Sequence, residues 1–138
     1  MEVNFAHICD YATVSQDGKL SVLGIFGQIN AAQVPVTHAQ MFLAFELSFD
    51  YTEVGREFNA EVQIVDEDGH AIWGVKGAGT MRLPTAPKPG DRPTAGQIFA
   101  ITNLRFEKFG TYDVNIFANG KHAKRLQLKV VPISTPQH

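Results

Sequence analysis

The chain has 138 residues, 44% apolar and 19% charged, and a formal net charge of −2. Such a balance can bury a core without disulfides or metal, and it excludes disorder and any global pull toward nucleic acid or an anionic membrane. One cysteine, Cys9, an opening Met1-Glu2-Val3-Asn4 unlike a signal peptide, and no apolar run near the roughly 20 residues of a spanning helix predict a cytoplasmic protein.

Asp17-Gly18, Asp68-Gly69 and Asn119-Gly120 each lie between stretches of strand-like alternation. These dipeptides supply the positive φ angles of hairpin turns, so the elements are read as antiparallel strands. The first hairpin runs from about Asn4 to Ile29. A two-residue loop at Asp17-Gly18 sets Ala12 opposite Leu23, Asp10 opposite Ile25, Tyr11 opposite Gly24 and Cys9 opposite Phe26. Its second strand is apolar on both faces, Leu20, Val22 and Phe26 against Leu23, Ile25 and Ile29, and so needs cover on both sides.

Residues 30–38, with Pro35, read as a connection. From Gln40 to Phe49 the residues Met41, Leu43, Phe45, Leu47 and Phe49 alternate with Phe42, Ala44, Glu46 and Ser48, the cleanest period-two pattern in the chain. Tyr51 to Arg56 is a loop around Gly55. The Asp68-Gly69 hairpin places Ile64 opposite Trp73, Val62 opposite Val75 and Phe58 opposite Gly79, with Glu61 facing Lys76. Gly74, Gly77 and Gly79 then mark a bulge, a bend or a close backbone approach.

Pro84, Pro87, Pro89 and Pro93 forbid a ladder through Leu83 to Gly96, leaving a long loop of the functional or mobile kind. The strand from Gln97 to Phe106 is again apolar on both faces, Ile98 and Leu104 against Phe99 and Ile101. In the last hairpin, a three-residue loop with Gly120 in the left-handed region pairs Val114 with Leu126 and Tyr112 with Leu128. A strict two-residue turn would instead put Arg125 and Gln127 across from them, against an apolar face. Pro132 ends the strand; residues 1–133 form one domain and 134–138 a flexible C-terminal tail.

The fold predicted is all-β: an immunoglobulin-like Greek-key antiparallel β-sandwich of about seven or eight strands, with a closed barrel as the alternative. Gly110-Thr111-Tyr112 supports the sandwich, because it resembles the corner in which a tyrosine bonds back to the backbone a few residues upstream.

No set of residues assembles into catalytic chemistry. Asp10 shares a face with Ile8, Ala12, Leu23 and Ile25, so it reads as a buried carboxylate satisfied by hydrogen bonds rather than as an acid in a cleft. His7 and Cys9 could reach one metal ion, but no second pair of ligands accompanies them, and His38, His70 and His122 are scattered. The basic run Lys121 to Lys129 reads as an edge strand with Arg125, Gln127 and Lys129 outward, and Trp73 as a core residue against Ile64.

The segments Cys9-Asp10-Tyr11-Ala12, Gly18-Lys19-Leu20 and Gly24-Ile25-Phe26, with Gly110-Thr111-Tyr112 and Asn119-Gly120-Lys121, resemble a family of small uncharacterised bacterial β-sandwich proteins. The resemblance implies a bacterial, cytosolic sandwich with no known activity, and no functional residue carries over.

The function expected is a non-enzymatic protein-interaction module, without cofactor or metal and without nucleic-acid or membrane partners. The alternative is a small-molecule or carbohydrate binder using a cleft near Trp73 and the 84–96 loop. Because two strands are apolar on both faces, Val22, Phe26, Phe99 and Ile101 are the candidate interface, and a homodimer or another protein is the expected partner.

Overall fold

Met41, Leu43, Phe45, Leu47 and Phe49 are each at most 1% exposed, so the strongest alternation in the sequence does mark the centre of the core. In the computed structural model, which describes residues 1–133, the first four lie along one face of β4 and Phe49 follows its end; the tail expected over 134–138 lies outside the described residues. The strands are β1 (Glu2–Val14), β2 (Leu20–Ile25), β3 (Gln28–Ala31), β4 (Val36–Ser48), β5 (Glu57–Val65), β6 (Ala71–Thr80), β7 (Thr94–Phe106), β8 (Gly110–Ala118) and β9 (Lys121–Pro132). Among the described residues a single 3₁₀ turn, Tyr51–Glu53, interrupts the β structure. One sheet has the order β2-β1-β4-β7 and the other β3-β9-β8-β5-β6.

Two expectations are corrected. Nine strands are present among the described residues, not seven or eight, and the pairing is not purely antiparallel, because β3 runs parallel to β9 with Ile29 beside Val130. The segment Gln28–Ala31 is too short for alternation to announce it, and only Ile29 and Ala31 turn inward. It carries the chain from the first sheet to the second. β9 is therefore a free edge only from Lys121 to Leu128, where Arg125 and Gln127 point to solvent as expected.

The turns exchange roles. At Asp17-Gly18 the Ser15 N–H donates to Lys19 O (2.9 Å) and Gly18 N–H to Ser15 O (3.0 Å), closing a three-residue loop with Gly18 at φ +84°. The hairpin register consequently slips by one: Tyr11 faces Leu23, Cys9 faces Ile25, and Asp10 falls across from Gly24. At Asn119-Gly120 both residues have positive φ, +49° and +80°, so the turn is the two-residue kind. A bulge between Ile116 and Phe117 then restores Val114 opposite Leu126 and Tyr112 opposite Leu128. The middle hairpin keeps its expected pairs, Ile64 with Trp73 and Glu61 with Lys76, through a bulge beside a three-residue loop.

The apolar second faces of β2 and β7 have an internal explanation. The first sheet curls until its two edges approach: a side chain on Gly96 of β7 would meet Leu20 Cβ of β2 at 3.4 Å. Inside the curl lies a second cluster of Cys9, Ala12 and Ala44, packed by Leu20, Val22, Phe42 and Ile98. Its centre is built of small residues because a curled face has little room. Ile101, placed among the candidate interface residues, is 1% exposed in the main core and has no surface to offer; Val22, Phe26 and Phe99 are half-buried.

Candidate functional site

Gly24 has φ +71°, and a Cβ on it would collide with Asp10 Oδ2. β2 bends at a residue that lacks a side chain, and the Asp10 carboxylate lies across the gap. Asp10 is therefore exposed rather than buried, a correction that follows from the one-residue slip in register. Among the described residues it makes no ion pair. The carboxylate opens on a hollow of about 380 Å³ whose other walls include Phe26, Gln28, Asn30 and His38. The Phe26 and His38 rings lie 5.8 Å apart, and Gln28 Nε2 donates to Asn30 Oδ1 at 3.1 Å. β2, β3 and β4 each contribute, and the β2–β3 passage between sheets brings these residues together.

Beside the hollow, Leu23 is 70% exposed, Ile25 56% and Tyr11 54%. Tyr11 and Leu23 are directly paired, and Tyr11 leans edge-on against Phe42. Sequence reasoning named Leu23 and Ile25 only as the other face of a two-sided strand, and could not choose between faces without the register. β2 is an outer strand of its sheet, and its bend at Gly24 interrupts a straight edge.

A second concavity, about 480 Å³, separates the outer strands β6 and β7 of the two sheets. Phe58, Gly77, Gly79, Met81, Arg82 and Phe99 line it. A side chain on Gly79 would press on Phe58 at 3.2 Å, and one on Gly77 would touch Phe99 at 3.6 Å, so the glycines make the close approach their spacing suggested. Trp73 is not part of this cleft; it packs against the main core.

Asp66, Asp68 and His70 bring three ligand atoms within 4.8 Å of one another. The Lys108 ammonium stands on the same carboxylates, 2.5 Å from Asp68 and 3.6 Å from Asp66, and Asp66 Oδ1 accepts the N–H groups of Asp68 and His70. The cluster is satisfied as a turn lock. The His70 N–H draws the Asp66 carboxyl below its usual range; burial opposes this, and Lys108 and the Asp68 N–H add to the lowering. The unfolded chain thus binds the more protons in acid. Stability from Asp66 is complete above the unfolded carboxylate value, about 3.9, and is lost as pH falls through the lower folded value. Urea midpoints measured from pH 6 downward should fall less steeply in Asp66→Asn than in the wild type, and equal slopes would remove Asp66 from the acid response.

The other residues singled out in the sequence have simple surroundings. Cys9 is wholly buried, its thiol is pushed up by that burial, and Sγ contacts Phe42 O at 3.7 Å. His7 stacks on Phe5, and His122 Nε2 lies 2.9 Å from Asn115 Oδ1, far along the chain from one another. No helix among the described residues is long and apolar enough to cross a membrane.

No curated protein matches the chain. Among solved structures it is similar to the Pseudomonas fluorescens alkylpurine DNA glycosylase AlkC bound to DNA containing an abasic site analog, at 14% identity and a TM-score of 0.40. That likeness covers 91% of this chain but only 30% of the glycosylase chain, and it carries no inference about activity. Residues 4–131 match a family of unknown function, DUF6941, and the chain belongs to that family.

Proposed function

We propose that the protein is a non-enzymatic interaction module that docks a partner protein on the exposed apolar patch of β1 and β2. The observation that carries this is the trio Tyr11, Leu23 and Ile25, each more than half exposed on neighbouring strands. Scattered apolar residues need no explanation, whereas adjoining ones beside a polar hollow fit a recognition surface. The Tyr112 corner and the two sheets support an immunoglobulin-like reading of the sandwich, an architecture used widely for recognition. The single buried thiol fits a cytoplasmic setting, and the family resemblance a bacterial one.

The patch is three exposed side chains, far fewer than the roughly 20–30 residues a side of a stable interface. It therefore suits a short docked segment better than a permanent homodimer. Panning a random peptide library on the wild type should recover binders, and Leu23→Lys with Ile25→Lys should weaken them at least tenfold while leaving the fold intact. Recovered binders that hold equally well to the double variant, or a library without binders, would overturn the reading. A second reading, a small-molecule site, is favoured by the two phenylalanines of the β6–β7 cleft at the mouth of the proline-rich loop.

A further inference from the structure

We infer that the hollow beside the patch is a receptor for an arginine side chain of the docked partner. The inference rests on the patch reading above and names the chemistry of its occupant. The hollow offers the Asp10 carboxylate, with no ion-pair partner among the described residues, and is lined by Gln28 and Asn30, whose Oδ1 accepts from Gln28 Nε2 and keeps a second lone pair. Among the described residues no lysine or arginine lines it.

A guanidinium presents five N–H donors in a fixed plane and has no acceptor, so it complements a carboxylate flanked by amide oxygens. Its flat face also stacks on rings, and Phe26 and His38 supply two at one wall. A lysine ammonium would satisfy the charge but not the plane. Gly24 gives the carboxylate its position: any side chain there would collide with Asp10 and meet an unfavourable φ. The neighbouring apolar trio then receives the residues that flank the arginine. The partner segment has an arginine with large apolar neighbours.

The test uses N-acetyl-arginine methylamide, and the citrulline analogue as its neutral isostere, titrated into ¹⁵N-labelled protein. The arginine probe should give saturable shifts at Gly24, Phe26 and Asn30 with a millimolar Kd, the citrulline probe should not, and Asp10→Asn should weaken binding at least tenfold. Absent shifts, equal binding of citrulline, or unchanged binding to Asp10→Asn would each overturn the inference. Leu23→Lys should leave the small probe bound, because it alters the patch and not the hollow. If patch binders are lost on Leu23→Lys but tolerate Asp10→Asn, the arginine receptor fails and the patch stands. If the arginine probe binds while no peptide depends on Leu23, the patch fails instead. A dimer by light scattering that separates on Leu23→Lys would assign the surface to a second copy and overturn the partner chemistry.

Discussion

Tyr112→Ala is expected to destabilise the protein by about 3–5 kcal/mol, and Tyr112→Phe by about 1–3 kcal/mol. Tyr112 is 2% exposed, and its ring meets Phe106 edge-to-face at 5.0 Å between centroids. Its hydroxyl donates to Lys108 O at 2.7 Å, and burial pushes the phenol up, so it remains a donor through neutral pH. The alanine variant empties the ring volume and orphans that carbonyl; the phenylalanine variant removes only the donor. Lys108 in turn holds Asp66 and Asp68, and Glu67 Oε1 accepts Thr111 N–H at 2.8 Å, so two turns are fastened together at this corner. Against a total of about 5–15 kcal/mol, the alanine cost is large enough to leave a measurable unfolded fraction. Urea denaturation at constant m reads both costs, and a Tyr112→Phe midpoint equal to wild type would show the corner bond to be energetically idle.

Ala44→Leu is the second large effect, and its sign is diagnostic. On an open, solvated sheet face a larger apolar residue would be neutral or mildly favourable. Ala44 is instead 0% exposed within the curl, in a cluster with Cys9 and Ala12 and against Phe42 and Ile98. Extra carbons there must push the first sheet open, at a cost of about 1–3 kcal/mol. A lowered urea midpoint supports the curl; an unchanged or raised midpoint would mean that the outer face of β4 has room to spare.

Much of the fold was legible, and the failures have physical causes. The alternation of β4, the pairing of β5 with β6, and Tyr112 at its corner are written in side-chain chemistry that a strand face reads directly. Turn length was not, because Asp-Gly and Asn-Gly both supply positive φ and differ only in which residues take it. At Asp17-Gly18, Ser15 closes the longer loop by accepting the Lys19 N–H on its hydroxyl (3.0 Å), whereas Asn119 itself takes positive φ. One residue of slip was enough to misplace Asp10, and with it the hollow. The hollow was also hidden because Phe26, Asn30 and His38 belong to three separate segments whose meeting depends on the crossing of β3 between sheets. Nothing local to any of them announces the others.

The pairing of β4 with β7 has a consequence for the growing chain. β4 ends at Ser48, but the strand that covers its second edge begins only at Thr94, and β9, which β3 needs, only at Lys121. At about 5–20 residues per second, a ribosome leaves the strand that is most buried in the finished fold waiting several seconds with an open edge. During that interval Met41, Leu43, Phe45 and Leu47 form a sticky nascent ribbon, whose safe passage falls to whatever shields emerging chains.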